Sequence, residues 1–547
     1  MATTISYLLR REDMSWWAVT HPLILQASNL NVTFVFFYVV IAFSAFGIVA
    51  WTLSCHGGPA WKNGRNRVGC VSIPSPTGLP IFGSLLSLVH GLPHRTLASM
   101  ARTSQAATQL MAISIGNTAT VVASDPQTAR EILTSQHFAN RPIKQSAKLL
   151  LLNRAIGFAP DGPYWRQLRK IASSHLLAPK HIFAHEPTRR LECTSMLNGI
   201  AKEQSLNGFV VLRKHLQTAS LNNIMEIVFG KSYNKAGDVD ESMELQEMVT
   251  EGFELLGAFN WSDHLPWLKY FYDPLCINHR CKALVPRVKI FVQKIINEHK
   301  LRGSVDLHEG SDFVDVLLSL DGEEKLSEDD MVAILWEMVF RGTDTIALLT
   351  EWVMAELVLN KGIQSKLRIE LDNVMGDKSV NDAEMAKLPY LQAVIKEALR
   401  LHPPGPLLSW ARLSTSDVHL TNGMVIPSNT TAMVNMWAIT HNSDVWDNPF
   451  AFEPERFLLS AGGSKVDIRG RDLRLAPFGA GRRVCPGMNL GMVTVSRWVA
   501  MLVNRFDWVQ DMARPVDLTE VLKLSCEMKE PLYAKVVSRN DHVSSMM

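Results

Sequence analysis

The stretch 477–487, PFGAGRRVCPG, places Cys485 in a glycine-rich loop directly before a helical pattern that begins near Met488. Glycine has no Cβ atom, so such a loop turns tightly and lets its backbone approach a flat ligand closely. Backbone N–H groups directed at Cys485 would favour its thiolate, and Arg483 offers a partner for an anionic group. A buried structural cysteine in a tight turn is the alternative interpretation.

The loop resembles the haem-binding loop of the cytochrome P450 family, F-x-x-G-x-R-x-C-x-G. Every fixed position of that pattern is filled, by Phe478, Gly481, Arg483, Cys485 and Gly487. The resemblance implies haem b as cofactor, with Cys485 as the thiolate ligand of the iron and Phe478 packed over it. A thiolate ligand favours cleavage of the O–O bond of dioxygen.

Length, composition and charge agree with a large globular enzyme. The chain has 547 residues, is 47% hydrophobic and carries a formal net charge of +2. It contains neither a low-complexity linker nor an internal repeat, which favours one large domain. Near-neutral charge without a basic stripe excludes nucleic acid as an expected partner. Seven scattered cysteines argue against a disulfide framework and suit a reducing compartment.

The N-terminal region predicts a membrane anchor. Residues 14–61 contain no Asp, Glu, Lys or Arg, and residues 32–53 are the most apolar part. A helix of about 20 such residues spans the core of a bilayer. The charges before this segment cancel, whereas Lys62, Arg65 and Arg67 follow it. The positive-inside rule therefore places the C-terminal domain in the cytosol.

Proline-rich sequence follows the predicted anchor and resembles the hinge that orients microsomal members of the family against the membrane. Its prolines stiffen the chain and exclude helix. We expect a single-pass protein of the endoplasmic reticulum, in contact with membrane lipid. The predicted divisions are a lumenal segment 1–31, an anchor 32–53, a basic and proline-rich hinge 54–84 and a catalytic domain 85–547.

Hydrophobic periodicity predicts a mainly α fold with small β-sheets, which is also what the resemblance implies. Strand-like segments are 119–124 and 430–437. The main segments with helical spacing are 126–136, 163–176, 326–358, 364–375 and 388–401.

The sequence 337–345, EMVFRGTDT, lies where the family has its oxygen-groove motif, A/G-G-x-D/E-T. Cleavage of the O–O bond consumes protons, so a carboxylate and a hydroxyl are useful side by side. By resemblance, Thr345 steadies the bound oxygen species and Asp344 relays protons. An ordinary polar patch on a helix is the alternative interpretation of this pair.

Arg341 stands where the family usually has Ala or Gly. Glu337 precedes it by four residues and Asp344 follows it by three, so all three can lie on one helix face. One interpretation is a Glu337–Arg341 ion pair that points away from the haem. The other is that Arg341 reaches the substrate cavity and pairs with a carboxylate of the substrate.

A third motif is architectural. Glu397 and Arg400 form an E-x-x-R pattern on one helical face, and Arg456 follows within the segment PERF. The resemblance implies a buried ionic triad of these residues that supports folding and the haem loop.

The resemblance also assigns contacts to the haem propionates. Trp165 and Arg169 match the W-x-x-x-R pattern of the family's haem-edge helix. Arg412, after two prolines, and Arg483 occupy further positions at which the family contacts a propionate.

Four segments narrow the resemblance to plant family 78, subfamily A: 123–126, 138–147, 154–160 and 336–345. Arg341 is usual within that group. The resemblance implies a plant enzyme linked to organ growth, with fatty acids or derived signals among the substrates.

The expected activity is a haem-thiolate monooxygenase that inserts one oxygen atom from O2 into a lipophilic substrate. The sequence shows no flavin or nicotinamide site, so NADPH-cytochrome P450 reductase is the expected electron donor. Two other functions remain open. One is a haem-thiolate isomerase or dehydratase that works without reductase, and the other is a non-catalytic, haem-bearing lipid-binding protein.

Overall fold

The computed structural model describes residues 32–89, 91–151, 154–231, 239–270, 272–303, 310–375, 380–408 and 411–539. The predicted lumenal segment 1–31 lies outside these residues. The chain divides into two compact units, Met1–Cys55 and His56–Met547.

The first unit contains helix α1, Val32–Leu53, whose bounds coincide with the predicted anchor. Its apolar side chains, among them Phe36 and Phe43, are exposed. Across the residues that the structure describes, none of the helices combines the length and apolarity that a membrane crossing requires. Membrane insertion stays a prediction.

The second unit is mainly helical with small β-sheets, which confirms the predicted fold class. Its helices are α2 Leu85–Val89, α3 Pro93–Ala101, α4 Gln105–Gln109, α5 Pro126–Thr134, α6 Gln145–Leu150, α7 Pro163–Ile171, α8 Pro179–Ala184, α9 Glu186–Asn207, α10 Leu212–Phe229, α11 Val239–Gly257, α12 Trp261–His264, α13 Ile277–Arg302, α14 Phe313–Ser319, α15 Glu328–Leu359, α16 Lys361–Met375, α17 Asp382–Met385, α18 Pro389–Leu401, α19 Met436–Thr440 and α20 Met488–Arg505.

The strands are short. They are β1 Cys55–His56, β2 Thr77–Gly78, β3 Met111–Ile115, β4 Thr118–Ala123, β5 Val210–Val211, β6 Arg412–Leu413, β7 Val418–His419, β8 Val425–Ile426, β9 Thr431–Val434, β10 Phe506–Gln510, β11 Glu520–Leu522, β12 Cys526–Met528 and β13 Tyr533–Ser538.

The largest sheet has the strand order β3-β4-β9-β6. Strands β3 and β4 are antiparallel, β4 and β9 are parallel, and β9 and β6 are antiparallel. A second sheet has the order β10-β13-β5, and β11 pairs with β12 as an antiparallel hairpin. The predicted strand 119–124 corresponds to β4, Thr118–Ala123. The predicted strand 430–437 corresponds to β9 only over Thr431–Val434, and its end was wrong, because Asn435 caps helix α19 and Met436 and Trp437 lie in that helix.

Helix α15 runs through the centre of the unit and packs against α10, α18 and α20. Most of its side chains are buried, on every face of the helix. This is the pattern of a helix in the interior of a protein. The Ser327 hydroxyl caps its first turn by accepting the N–H of Asp330 at 3.2 Å.

The predicted helices agree closely with the observed ones. Segment 326–358 corresponds to α15 and segment 388–401 to α18, with ends that differ by one or two residues. Segment 163–176 begins as α7, and residues 172–176 continue as a π-helical turn. Pro163 occupies the first turn of α7, where its missing N–H leaves no helical bond unmade.

The predicted ionic triad lies on α18 and the segment that follows α19. Arg400 donates from Nε and Nη2 to the two oxygens of Glu397, each at 2.8 Å, and Arg456 Nε donates to Glu397 Oε1 at 3.0 Å. Arg400 also donates to backbone carbonyls of the segment 440–451. The side chains of Glu397 and Arg400 are fully buried. The network therefore connects α18 to the segment 440–451, most of which lies outside regular secondary structure.

Removal of Arg456 should destabilise this network. Loss of one partner of a buried ion pair typically costs about 3–5 kcal/mol, because the remaining charge stays buried. We expect Arg456→Ala to lower the free energy of unfolding by that order, measured by denaturant titration. Lys465→Ala, at an exposed position of the same region, should change it by less than about 0.5 kcal/mol. Equal effects of the two substitutions would contradict a structural role for Arg456.

Candidate active site

A cavity inside the second unit brings together the loop of Cys485 and one face of α15. Arg341, Thr345 and Leu349 line it from the helix, and Cys485 lines it from the loop. Most of the remaining wall is apolar, with Ile224, Phe253, Met338, Ile346, Leu408 and Leu524 among its members. Such a wall suits a flat apolar group and a lipophilic molecule beside it.

The Cys485 loop is held by its glycines and by backbone hydrogen bonds. Gly481 has φ +68°, and a Cβ atom there would lie 2.1 Å from the carbonyl oxygen of Leu133. Only glycine fits this position, because both the backbone angle and the neighbouring carbonyl exclude a side chain. The Cys485 N–H donates to the carbonyl of Phe478 at 2.9 Å. The thiol is exposed to the cavity.

Opposing influences act on the Cys485 thiol. Burial raises its pKa above the ordinary value, while the positive charge of Arg341 and the N–H of Gly487 lower it. Arg169 and Arg141 add to the lowering. The predicted backbone N–H contact is therefore present at Gly487. Burial is the largest of these influences, so the pKa lies above its ordinary value. The donors and cations around the sulfur oppose this rise, because they favour the thiolate.

Arg483 holds the loop to the chain segment 139–159. Its three guanidinium nitrogens donate to the carbonyls of Ala139 at 2.8 Å, Ile156 at 3.0 Å and Ala159 at 2.6 Å. The guanidinium lies over the ring of Trp165, 4.1 Å from its centroid. The Trp165 indole N–H donates to the carbonyl of Ile156 at 2.9 Å. Trp165 thus stands behind Arg483, as a platform for the cation.

Three further arginines complete a buried group of positive charges at the cavity. Burial and the charge of Arg412 lower the pKa of Arg141 well below its ordinary value. Burial and the charges of Arg483 and Arg169 lower the pKa of Arg412 to about 9. Burial also lowers the pKa of Arg169, whose Nη2 donates to the carbonyl of Val484 at 2.5 Å. These cations are crowded together with little opposing charge.

Arg141 was missed as a functional residue. It lies in the segment 138–147 that contributed to the resemblance, but it was assigned no role, because the chain gives no spacing that links residue 141 to residues 412 and 483. Its Nε and Nη1 atoms are buried without a hydrogen-bond partner, as is Nε of Arg412. Buried donors without partners carry a substantial energetic cost unless a ligand satisfies them.

The cavity fits haem b. A thiol faces an apolar space, and unsatisfied guanidinium N–H groups lie at its edge, where the two propionates of the ring would neutralise positive charge. Cys485 would bind the iron, and Arg141 and Arg412 have free donors for the propionates. Arg169 and Arg483 add charge, although their hydrogen bonds go to the backbone.

Arg341 forms the ion pair of one interpretation and faces the cavity as the other requires. Its Nη1 lies 3.3 Å from Glu337 Oε1, so the predicted ion pair is present. The expectation that this pair points away from the haem is wrong, because both residues line the cavity. Glu337 also accepts the N–H groups of Ile156 at 2.5 Å and Gly157 at 2.7 Å. These bonds anchor the carboxylate and direct Arg341 inward.

Gly157 makes this arrangement possible. A Cβ atom at residue 157 would lie 2.1 Å from Arg341 Nη1 and 2.8 Å from Glu337 Oε1. A side chain at this position would therefore displace both members of the ion pair.

The two residues of the acid–alcohol motif have different surroundings. Thr345 lines the cavity, whereas Asp344, half-buried, faces the hairpin of β11 and β12. Burial raises the pKa of Asp344 to about 7, and the negative charge of Glu527 adds to the rise. A hydrogen bond from Ser525 opposes it. A carboxyl group with a pKa near neutrality can both give and accept a proton.

Comparisons with known proteins identify the family of this chain. The family model described as Cytochrome P450 matches residues 73–533. Cytochrome P450 78A7 of Arabidopsis thaliana is 61% identical over 96% of this chain and 98% of its own length. Cytochrome P450 78A11 of Oryza sativa subsp. japonica is 57% identical over 96% and 97% of the two chains. Cytochrome P450 78A1 of Zea mays is 54% identical over 96% and 98%. The chain therefore belongs to the cytochrome P450 family, and within it to family 78, subfamily A.

Proposed function

We propose that this haem-thiolate monooxygenase inserts one oxygen atom into a lipophilic carboxylic acid, either a fatty acid or a signal derived from one. The observation that carries the proposal is an apolar cavity that contains both Cys485 and an inward-facing Arg341. The apolar wall suits a hydrocarbon chain, and a guanidinium suits a carboxylate. A role in plant organ growth rests on membership of subfamily A.

Cys485 would bind the haem iron, and Arg141 and Arg412 would hold the propionates. When bound, haem with a thiolate ligand supplies the reductive activation of dioxygen and the transfer of one oxygen atom. Phe478 lines the cavity beside Cys485 and packs against the core. It limits the access of water to the sulfur.

Protons reach the cavity through Asp344 and Thr345. The Thr345 hydroxyl, at the cavity wall, gives a proton to the reacting centre and is reprotonated from the Asp344 carboxyl. An isomerase or dehydratase that works without reductase has no need of such a pair, so the presence of both residues favours the monooxygenase. Consumption of a fatty-acid hydroperoxide without NADPH would support the isomerase instead.

Electrons come from a redox partner, for which we propose NADPH-cytochrome P450 reductase. Helix α7 carries Arg169, which bonds the Cys485 loop, and exposes Arg166 and Lys170 to solvent. Cations on this surface would attract an acidic partner close to the iron ligand.

The endoplasmic reticulum is the proposed location, with the catalytic unit in the cytosol. The proposal rests on the apolar sequence 32–53 and on Lys62, Arg65 and Arg67 after it. Retention of the protein in the pellet after alkaline carbonate extraction of microsomes is the expected result. Release into the supernatant would contradict an integral anchor.

Substitution of Cys485 tests the central assignment. We expect the reduced protein to give the carbon-monoxide difference spectrum of a thiolate-bound haem, and Cys485→Ser to lose it, because a hydroxyl cannot replace the thiolate. Cys70→Ser, at an exposed cysteine, should keep the spectrum. If Cys485→Ser kept the spectrum, a residue other than Cys485 would have to be the iron ligand.

Substitution of Arg341 tests the substrate class. A hydrogen bond to a charged group contributes roughly 1.5–3 kcal/mol, so Arg341→Ala should raise the KM for a free fatty acid about tenfold or more. The methyl ester of the same acid has no carboxylate and serves as the matched control, with a much smaller change in KM. Equal increases for acid and ester would remove Arg341 from substrate recognition.

A further inference from the structure

A buried hydrogen bond joins helix α10 to the acid–alcohol motif of α15. The Ser220 hydroxyl donates to the backbone carbonyl of Thr343 at 2.6 Å. Ser220 is 1% exposed and Thr343 is 6% exposed, so bulk water does not compete for this bond. Residues 344 and 345 follow Thr343 directly in the chain, and the bond therefore acts on the backbone of the motif itself.

The same face of α10 contacts α15 one residue earlier. A Cβ atom at Gly342 would lie 2.8 Å from Cδ1 and 2.9 Å from Cγ1 of Ile224. Ser220 and Ile224 are four residues apart, so they share one face of α10. Gly342 thus lets α10 approach closely enough for the Ser220 hydroxyl to reach the Thr343 carbonyl.

A second bond between the two helices lies about two turns farther along α15. Arg213 Nε, on α10, donates to Glu351 of α15 at 2.7 Å, and Glu351 is buried. Arg213 precedes Ser220 in α10 while Glu351 follows Thr343 in α15, so the two helices run antiparallel. Bonds at two separate turns fix the rotation of α15 about its own axis as well as its distance from α10.

This rotation decides which side chains of the motif face the cavity. Successive residues of an α-helix point about 100° apart around its axis. Gly342 and Thr345 line the cavity, and the carbonyl of Thr343 between them is directed at α10. A rotation of this turn by a fraction of that step would move the Thr345 hydroxyl along the cavity wall.

We propose that Ser220 is a positioning residue for proton delivery, because its hydrogen bond to the Thr343 carbonyl holds the turn 342–345 at the rotation that presents the Thr345 hydroxyl to the reacting centre. This inference rests on the proposed role of Thr345. Ser220 itself transfers no proton, since its O–H is bound to the carbonyl. Its effect on the reaction is geometric, through the place of a hydroxyl on another helix.

The outcome of each turnover depends on that place. When protons arrive in time, the O–O bond of dioxygen is cleaved, and two electrons and two protons yield oxygenated product and water. When the hydroxyl is displaced, the O–O bond stays intact, and the same two electrons and two protons leave as hydrogen peroxide. The division of electrons between these outcomes therefore reports the position of Thr345.

Electron accounting in the holoenzyme tests the proposal. With NADPH-cytochrome P450 reductase, NADPH and palmitic acid as the probe, we measure the ratio of electrons recovered in hydrogen peroxide to electrons recovered in product and water. Loss of one buried hydrogen bond in Ser220→Ala should raise this ratio about fivefold. Ser220→Thr keeps the hydroxyl and should return the ratio to near that of wild type.

Thr218→Ala is the matched control. It removes a hydroxyl from an exposed position of the same helix, where the hydroxyl donates to the carbonyl of Lys214 in α10 itself. We expect this variant to keep the electron ratio of wild type.

The solvent deuterium isotope effect on NADPH oxidation distinguishes proton delivery from a loss of stability. A less stable variant yields less holoenzyme, which leaves the isotope effect unchanged, whereas slower proton delivery enlarges it. We expect a larger isotope effect in Ser220→Ala than in wild type. An electron ratio and an isotope effect equal to those of Thr218→Ala would overturn the proposal.

A second pair of variants tests the same contact from α15. Gly342→Ala adds a methyl group against Ile224 and should raise the electron ratio, because it separates the two helices. Ile224→Ala in the same chain makes room for that methyl group and should reverse the effect. This pair keeps the test decisive if Ser220→Ala does not fold, and a wild-type ratio in Gly342→Ala, or no reversal in the double variant, would contradict the proposal.

Thr345→Val separates this proposal from the one on which it rests. It removes the hydroxyl that Ser220 is proposed to position. An electron ratio and an isotope effect equal to those of wild type in Thr345→Val would refute the role of Thr345 itself. A change in Thr345→Val without a change in Ser220→Ala would refute only the positioning role of Ser220.

Discussion

Four guanidinium groups lie together in the interior beside Cys485, and their mutual repulsion is the constraint on which the site depends. They belong to Arg141, Arg169, Arg412 and Arg483. Burial lowers the pKa of all four, and neighbouring cations lower it further for Arg141, Arg412 and Arg483. Buried N–H groups of Arg141 and Arg412 have no acceptor among the described residues. Buried charges without partners are costly. The two propionates of haem b would supply negative charge here, so the cofactor would stabilise the interior as well as provide its chemistry.

Three carboxylates, those of Glu397, Glu337 and Asp344, have different surroundings. Glu397 and Glu337 are each bound by an arginine and by backbone N–H groups, which hold the carboxylate in one place. Asp344 instead faces a hydroxyl and a second carboxylate, and burial raises its pKa to about 7. A carboxylate held by cations maintains structure, whereas one that titrates near neutrality can exchange protons. This contrast distinguishes structural acids from the acid assigned to proton transfer.

Much of the fold could be predicted because its signals are local. The long apolar pattern of α15, the proline at the start of α7 and the alternating residues of β4 each depend on neighbours in the chain. The loop of Cys485 could also be predicted, since its glycines and its cysteine lie within eleven residues of sequence. Arg141 was not, because its importance comes from proximity to Arg412, and no sequence spacing records that proximity.

For Arg341, the sequence predicted the ion-pair partner but not the direction in which the pair points. The spacing from Glu337 correctly predicted an ion pair, because residues four apart in a helix are neighbours. The direction of that pair depends on the N–H groups of Ile156 and Gly157, which belong to a distant segment. The sequence by itself determined the family, the cofactor and the local elements, since these depend on residue type and short-range spacing. Only the tertiary structure decided which cations face the cavity and which groups surround Asp344. Those contacts join distant segments, as in the bond from Arg483 to Ala139, which are 344 residues apart.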